Sequence, residues 1–149
     1  MHFIIGGAYN GKEQWVKDEL KRTKRPHEKV MEWSPEKSLK GLQHDVLVWF
    51  SMEDWVLHQC HGPLQDDEIV EAFKNWIDQL NLWEKKNQTR SVMLVGTDQS
   101  KGIVPLDHTM RRARDLSGWC FQHSAQMSCR VTRVWYGIGE ELKQEEAET

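Results

Sequence analysis

Ile4-Ile5-Gly6-Gly7-Ala8-Tyr9-Asn10-Gly11-Lys12-Glu13 is the stretch that decides the fold. It continues a short apolar run, His2 to Ile5, of the length of a buried strand. It leads into a segment from Gly11 to about Arg22 whose Trp15, Val16 and Leu20 fall on one helical face. Strand, glycine-rich turn and helix are the context that gives G-x-x-x-x-G-K-[ST] its physical meaning. Glycines let the backbone curl until successive N–H groups and the helix N-terminus face an anion, and the lysine then reaches the terminal phosphates. Gly6, Gly7, Ala8, Tyr9, Asn10, Gly11, Lys12 and Glu13 are therefore the expected nucleotide-binding residues, with Lys12 as the catalytic clamp. The competing reading is an incidental glycine-rich turn.

The position after the lysine should be Ser or Thr, whose hydroxyl binds Mg²⁺, and here it is Glu13. A carboxylate about 5 Å from a phosphate is repelled by roughly 3 kcal/mol at an effective dielectric of about 20, unless a cation stands between them. Glu13 either ligates the metal itself or marks the loss of tight triphosphate binding.

Outward from the loop, short apolar runs alternate with longer periodic ones, the pattern of an α/β domain with a mostly parallel sheet. Strands are expected at His2 to Ile5, Asp45 to Phe50, Ser91 to Gly96 and Val131 to Tyr136. Ile69, Phe73, Trp76, Leu80 and Trp83 recur at helical spacing, with Asp66, Asp67 and Glu68 suited to the N-terminus. A second long helix is expected from Asp107, a cap residue, to about Met127, with Met110, Ala113, Leu116 and Cys120 on one face. Residues 21 to 44 contain Pro26 and Pro35 and read as an irregular connection. The expectation is a three-layer domain of P-loop NTPase type over residues 1–142, followed by a frayed acidic tail over 143–149.

The 149 residues suit one domain. A net charge of -3 with scattered Lys and Arg argues against nucleic acid as a partner. No apolar run reaches bilayer-spanning length, so the expectation is a cytoplasmic protein without membrane association. Cys60, Cys120 and Cys129 lack the spacing of a disulfide framework or thiolate zinc site. His58-Gln59-Cys60-His61 crowds its donors too closely for usual zinc spacing. Eight tryptophans, Trp49, Trp76 and Trp135 among them, read as core and interface packing, with base stacking the weaker alternative.

Two segments carry a resemblance. Ile4 to Lys12 looks like an opening strand and G-G-A-R-S-G-K-S loop. Val92-Met93-Leu94-Val95, Gly102-Ile103-Val104-Pro105 and then Arg111, Arg114, Asp115, Gly118 and Gln122 are similar to V-T-N-E-V-G-x-G-I-V-P followed by R-x-x-R-D-x-A-G-x-x-N-Q. These are motifs of the bifunctional adenosylcobinamide kinase and adenosylcobinamide-phosphate guanylyltransferase family, which the chain resembles over roughly its first 20 and last 60 residues. The resemblance implies a P-loop α/β protein that binds GTP or ATP with Mg²⁺ and phosphorylates the corrinoid adenosylcobinamide. It also implies a homo-oligomer.

The departures shape what is expected of the site. Where the family has an acid at the strand end, this chain has Phe50; Glu53 and Asp54 lie beyond it and could substitute only if the loop folds back. Arg25-Pro26 follows the first helix directly, leaving no segment for the family's guanylylated histidine, and His27 reads as a surface residue. Thr97-Asp98 replaces Asn-Glu, and Asp98 is expected either to ligate Mg²⁺ or orient a hydroxyl as a base, or to cap a turn. Arg111 and Arg114, one helical turn apart, are expected to meet phosphate or substrate, or to form surface ion pairs with Asp107 or Asp115. Two functions follow: a phosphotransferase, or a nucleotide- or corrinoid-binding relative without catalysis that acts as a regulatory or partner subunit.

Overall fold

Alternation along each strand decides which layer every side chain joins. In β1 (His2–Gly6), Phe3 points to one face of the sheet and Ile4 to the other, and both are buried. The computed structural model describes residues 1–99 and 107–145. Along the chain β1 is followed by α1 (Lys12–Arg22), β2 (Val30–Glu32), β3 (Val46–Trp49) and α2 (Met52–Cys60). Then come α3 (Asp66–Lys85), β4 (Ser91–Thr97), α4 (His108–Met127), β5 (Arg130–Trp135) and β6 (Ile138–Gln144).

The strands form one sheet in the order β2-β3-β4-β1-β5-β6. All neighbours are parallel except β5 and β6, which form an antiparallel hairpin. Ile4, Val48, Met93, Val95 and Val134 lie on one face under Val16 of α1. Phe3, Leu47, Trp49, Val92 and Leu94 lie on the other, under α2, α3 and α4. The domain is thus α/β with helices on both faces of a mostly parallel sheet.

From β1 the chain crosses over the α1 face toward β2. From β3 to β4, and from β4 to β5, it moves the opposite way over the opposite face. Opposite directions on opposite faces give these crossovers one common hand, as the rule for parallel strands requires. One consequence positions the site: β1 and β4 are neighbours, yet the chain leaves their C-terminal ends toward opposite faces. A crevice opens there.

The two long helices have the caps their sequences specify. Asp107 Oδ1 accepts from the Met110 N–H at 3.1 Å at the start of α4, and Gln65 and Glu68 form a capping box at the start of α3. Trp33 meets both Trp49 and Trp76 edge to face with ring centroids 5.6 Å apart, so these three tryptophans pack the thicker layer. Trp135 does not; it is exposed, with the Arg133 guanidinium 5.0 Å above its ring.

Three elements go beyond the sequence expectation. β2 lies inside the stretch read as irregular, where register with Val46 to Val48 of β3 supports only three residues. α2 follows β3 directly and buries Met52, Val56 and Cys60, a spacing of four. β6 continues through Gln144, past Leu142, because Lys143 and Gln144 stand in register with Val131 and Arg130 of β5 and the acids before them meet bases there: Glu140 pairs with Arg133 at 2.9 Å, and Glu141 accepts from Arg130 Nε at 3.0 Å. No helix among the described residues is long and apolar enough to cross a membrane.

Candidate functional site at the β1–α1 loop

Gly6 ends β1 where the sheet is tightest: a Cβ there would stand 2.5 Å from the Val134 carbonyl oxygen of β5. Gly11 is the N-cap of α1 with φ of 82°, a left-handed conformation that glycine adopts at little cost. Between them Tyr9 also has positive φ, at 62°. The β5–β6 turn braces the loop from outside, the Gly137 N–H donating to the Asn10 carbonyl at 2.8 Å. Held this way, the loop lets Lys12, the first residue of α1, fold back so that Nζ donates to the Gly7 carbonyl at 2.8 Å.

A cavity of about 280 Å³ opens over the loop, lined by Tyr9, Gly11, Lys12, Phe50, Ser51 and Thr97 among others. It lies at the C-terminal ends of β1, β3 and β4, beside the crevice created by the reversal of the crossovers. Tyr9 and Ser51, two of the four non-glycine residues with positive φ among the described residues, are both on its wall. Backbone held in such sparsely populated regions costs of order 1–3 kcal/mol per residue and is concentrated at ligand sites.

The acids distribute unevenly around this cavity. Glu13 lies at its edge but is 70 % exposed and pairs with Lys17 at 3.3 Å, one turn along α1. Asp98 is half-buried just past the end of β4, its backbone N–H donating to the Gly6 carbonyl at 2.8 Å, so the fold brings it beside the loop. Phe50 is on the wall, where a carboxylate would have faced the cavity. Glu53 is the acid that the sequence left conditional. Ser51 takes φ of 54° and turns the chain straight into α2, whose first turn carries Glu53 inward until it is only 6 % exposed. Its Oε1 accepts from the Thr97 N–H at 2.9 Å, while Oε2 is buried without a hydrogen-bond partner among the described residues.

Burial pushes the Glu53 carboxyl above its usual range, against the pull of the Thr97 N–H, its own backbone N–H and the Thr97 hydroxyl. Burial also lowers the Lys12 ammonium, and the charge of Glu53 works the other way. The helix that carries Glu53 had a signal in the sequence, since Met52, Val56 and Cys60 mark a buried stripe, but the inward placement of Glu53 itself had none.

The expected contacts on α4 lie elsewhere. Arg111 is exposed, Arg114 pairs with its neighbour Asp115 at 3.2 Å, and neither lines the cavity. Arg112, between them, is the structural arginine: it binds Asp66 and donates to the Leu64 carbonyl at 2.9 Å, fastening the α2–α3 connection. Gly102-Ile103-Val104-Pro105 lies outside the described residues. His27 is exposed and precedes β2, at the N-terminal edge of the sheet and so opposite the loop. His58 and His61 are exposed on either side of buried Cys60, and the described residues contain no group of three His, Cys, Asp or Glu placed to hold a metal ion.

A second charged cluster sits at the far end of α1. Glu19 binds Arg22 and, at 2.8 Å, Arg130 Nη1, while Arg130 also binds Glu141. Arginine contacts, from Arg22 first, hold the Glu19 carboxyl down at about 2. His2 Nε2 lies 2.7 Å from Thr132 Oγ1, and burial, with Arg130 nearby, lowers the imidazole to about 4. No family model matches the chain, and the comparison with curated proteins finds no match.

Proposed function

We propose that this chain binds a nucleoside triphosphate with Mg²⁺ through the Gly6–Lys12 loop, in the manner of a P-loop NTPase, and transfers a phosphoryl group to the hydroxyl of a corrinoid, adenosylcobinamide. The observation that carries the reading is the fold-back of Lys12 onto the Gly7 carbonyl, which puts an ammonium over a glycine-rich turn at the switch point of the sheet. In this reading the loop N–H groups and the start of α1 take the phosphates, and Lys12 leaves Gly7 for the terminal phosphate oxygens. Asp98 orients the acceptor hydroxyl or takes its proton. Mg²⁺, when bound, offsets phosphate charge. The orphaned buried oxygen of Glu53 fits such a cation better than exposed Glu13 does.

The placement of His27 at the opposite edge of the sheet speaks against guanylyl transfer through that residue. A second reading, a nucleotide- or corrinoid-binding relative without catalysis, is favoured by Phe50 on the cavity wall and Glu13 paired with Lys17.

Calorimetry with GTP and with ATP, followed by a phosphorylation assay on adenosylcobinamide, tests both. Lys12→Ala should lower nucleotide affinity about 10- to 100-fold, the loss of charge-assisted bonds to phosphate, and abolish turnover. Binding without turnover in the unaltered chain selects the second reading. No binding of either nucleotide overturns both.

A further inference from the structure

Glu53 poses an electrostatic problem that the described residues solve only in part. Its carboxyl is buried like a core side chain, one oxygen is spent on Thr97, and the other has no partner among the described residues. Buried charges are ordinarily paired, and a buried polar atom without a bond is costly enough that native structures rarely keep one idle. The cation within its field is Lys12, with Asp54 on the same helix as a further negative charge. Lys12 is also the group that a bound phosphate would claim. Once the lysine turns to phosphate, Glu53 faces an anionic ligand with its balancing charge removed.

We propose that Glu53 receives, through Oε2, the divalent cation that accompanies a nucleoside triphosphate in the loop, directly or through one of its waters. This rests on the reading that the loop binds nucleotide. It moves the cation contact from the exposed Glu13, which is satisfied by Lys17, to a buried acid bonded to Thr97 of the cavity wall. Mg²⁺ suits such a place, since it keeps several waters and is commonly held by one or two carboxylates plus substrate phosphates. The position of Ser51 explains why a helix can supply this acid: its left-handed φ lets α2 begin at once after β3, bringing the second helical residue under the C-terminal end of β4.

The test uses the full chain and calorimetry of GTP and ATP binding in MgCl₂ and in EDTA. The unaltered chain should bind one of the two about tenfold or more tightly with Mg²⁺. Glu53→Gln keeps an acceptor for the Thr97 N–H but removes the charge, so it should retain the EDTA affinity within about twofold and lose most of the Mg²⁺ enhancement. Glu53→Met, of similar volume and without polar atoms, serves as a second variant, and thermal midpoints report that both fold. Full Mg²⁺ enhancement in a folded variant overturns the proposal. So does nucleotide binding by the unaltered chain that ignores Mg²⁺, which leaves the loop reading intact. Absence of nucleotide binding under either condition removes the loop reading itself, and this proposal with it.

Discussion

Glu19 and Glu53 are nearly equally buried and stand at opposite ends of the same sheet, yet their carboxyls shift in opposite directions. Glu19, at the far end of α1, meets Arg22 and Arg130, and its charge is answered. Glu53, under the loop, gives one oxygen to an N–H and leaves the other unmatched. Burial alone therefore does not say what a carboxylate is for; its partners do. The completed cluster ties α1 to β5 and β6, whereas the incomplete one lies beside the cavity.

The comparison can be broken at the completed end first. Arg130→Met should destabilise the chain by about 2–3 kcal/mol in urea unfolding, because it leaves buried Glu19 with Arg22 alone and frees Glu141. A loss under about 1 kcal/mol would mean that the cluster is not what fastens α1. Acid should act next. His2 is held at about 4 against an ordinary 6.5, so as pH falls below 6.5 the unfolded chain takes up a proton that the folded one refuses. Stability should drop through that window, by up to about 3 kcal/mol by pH 4. Glu19, held at about 2 against 4.5, contributes fully above 4.5 and loses its share as pH falls from 4.5 through 2. Unfolding midpoints across pH should show the upper step vanish in His2→Gln and the lower one persist.

At the loop end, Gly6→Ala should cost about 1–3 kcal/mol, since the new methyl meets a backbone oxygen that cannot rotate away. The smallest effect is expected at Glu13. Its Lys17 pair is exposed, and Glu13→Gln should change stability by less than about 0.5 kcal/mol. Nucleotide affinity should move by less than about twofold. A larger change in calorimetry would return the cation contact to Glu13 and erase the contrast with Glu53.

The four central strands and the three longer helices were legible because each repeats its period over enough residues to be heard above the background. Asp45 to Phe50 and Ser91 to Gly96 alternate or run apolar between polar stops, and Ile69 to Trp83 holds one stripe for four turns. What escaped depends on partners distant in sequence. Lys143 and Gln144 read as the start of an acidic tail until Val131 and Arg130 stand opposite them. Val30 to Glu32 becomes a strand through β3 alone. The loop itself could be read locally, but the inward turn of Glu53 hangs on the unusual φ of Ser51, which no serine announces in advance.

The bond from Gly137 to Asn10 joins the first turn of the chain to the last hairpin, and it sets an order of events. β1 is made well before β5 and β6 and α1 can coil as soon as it emerges, but the brace on their connecting loop must wait until β5 and β6 have paired. The β1–α1 loop is then among the last parts to reach its final geometry, after the long-range closure that limits folding rates. A nascent chain short of its final hairpin would carry the glycines and the lysine without a rigid place to put them.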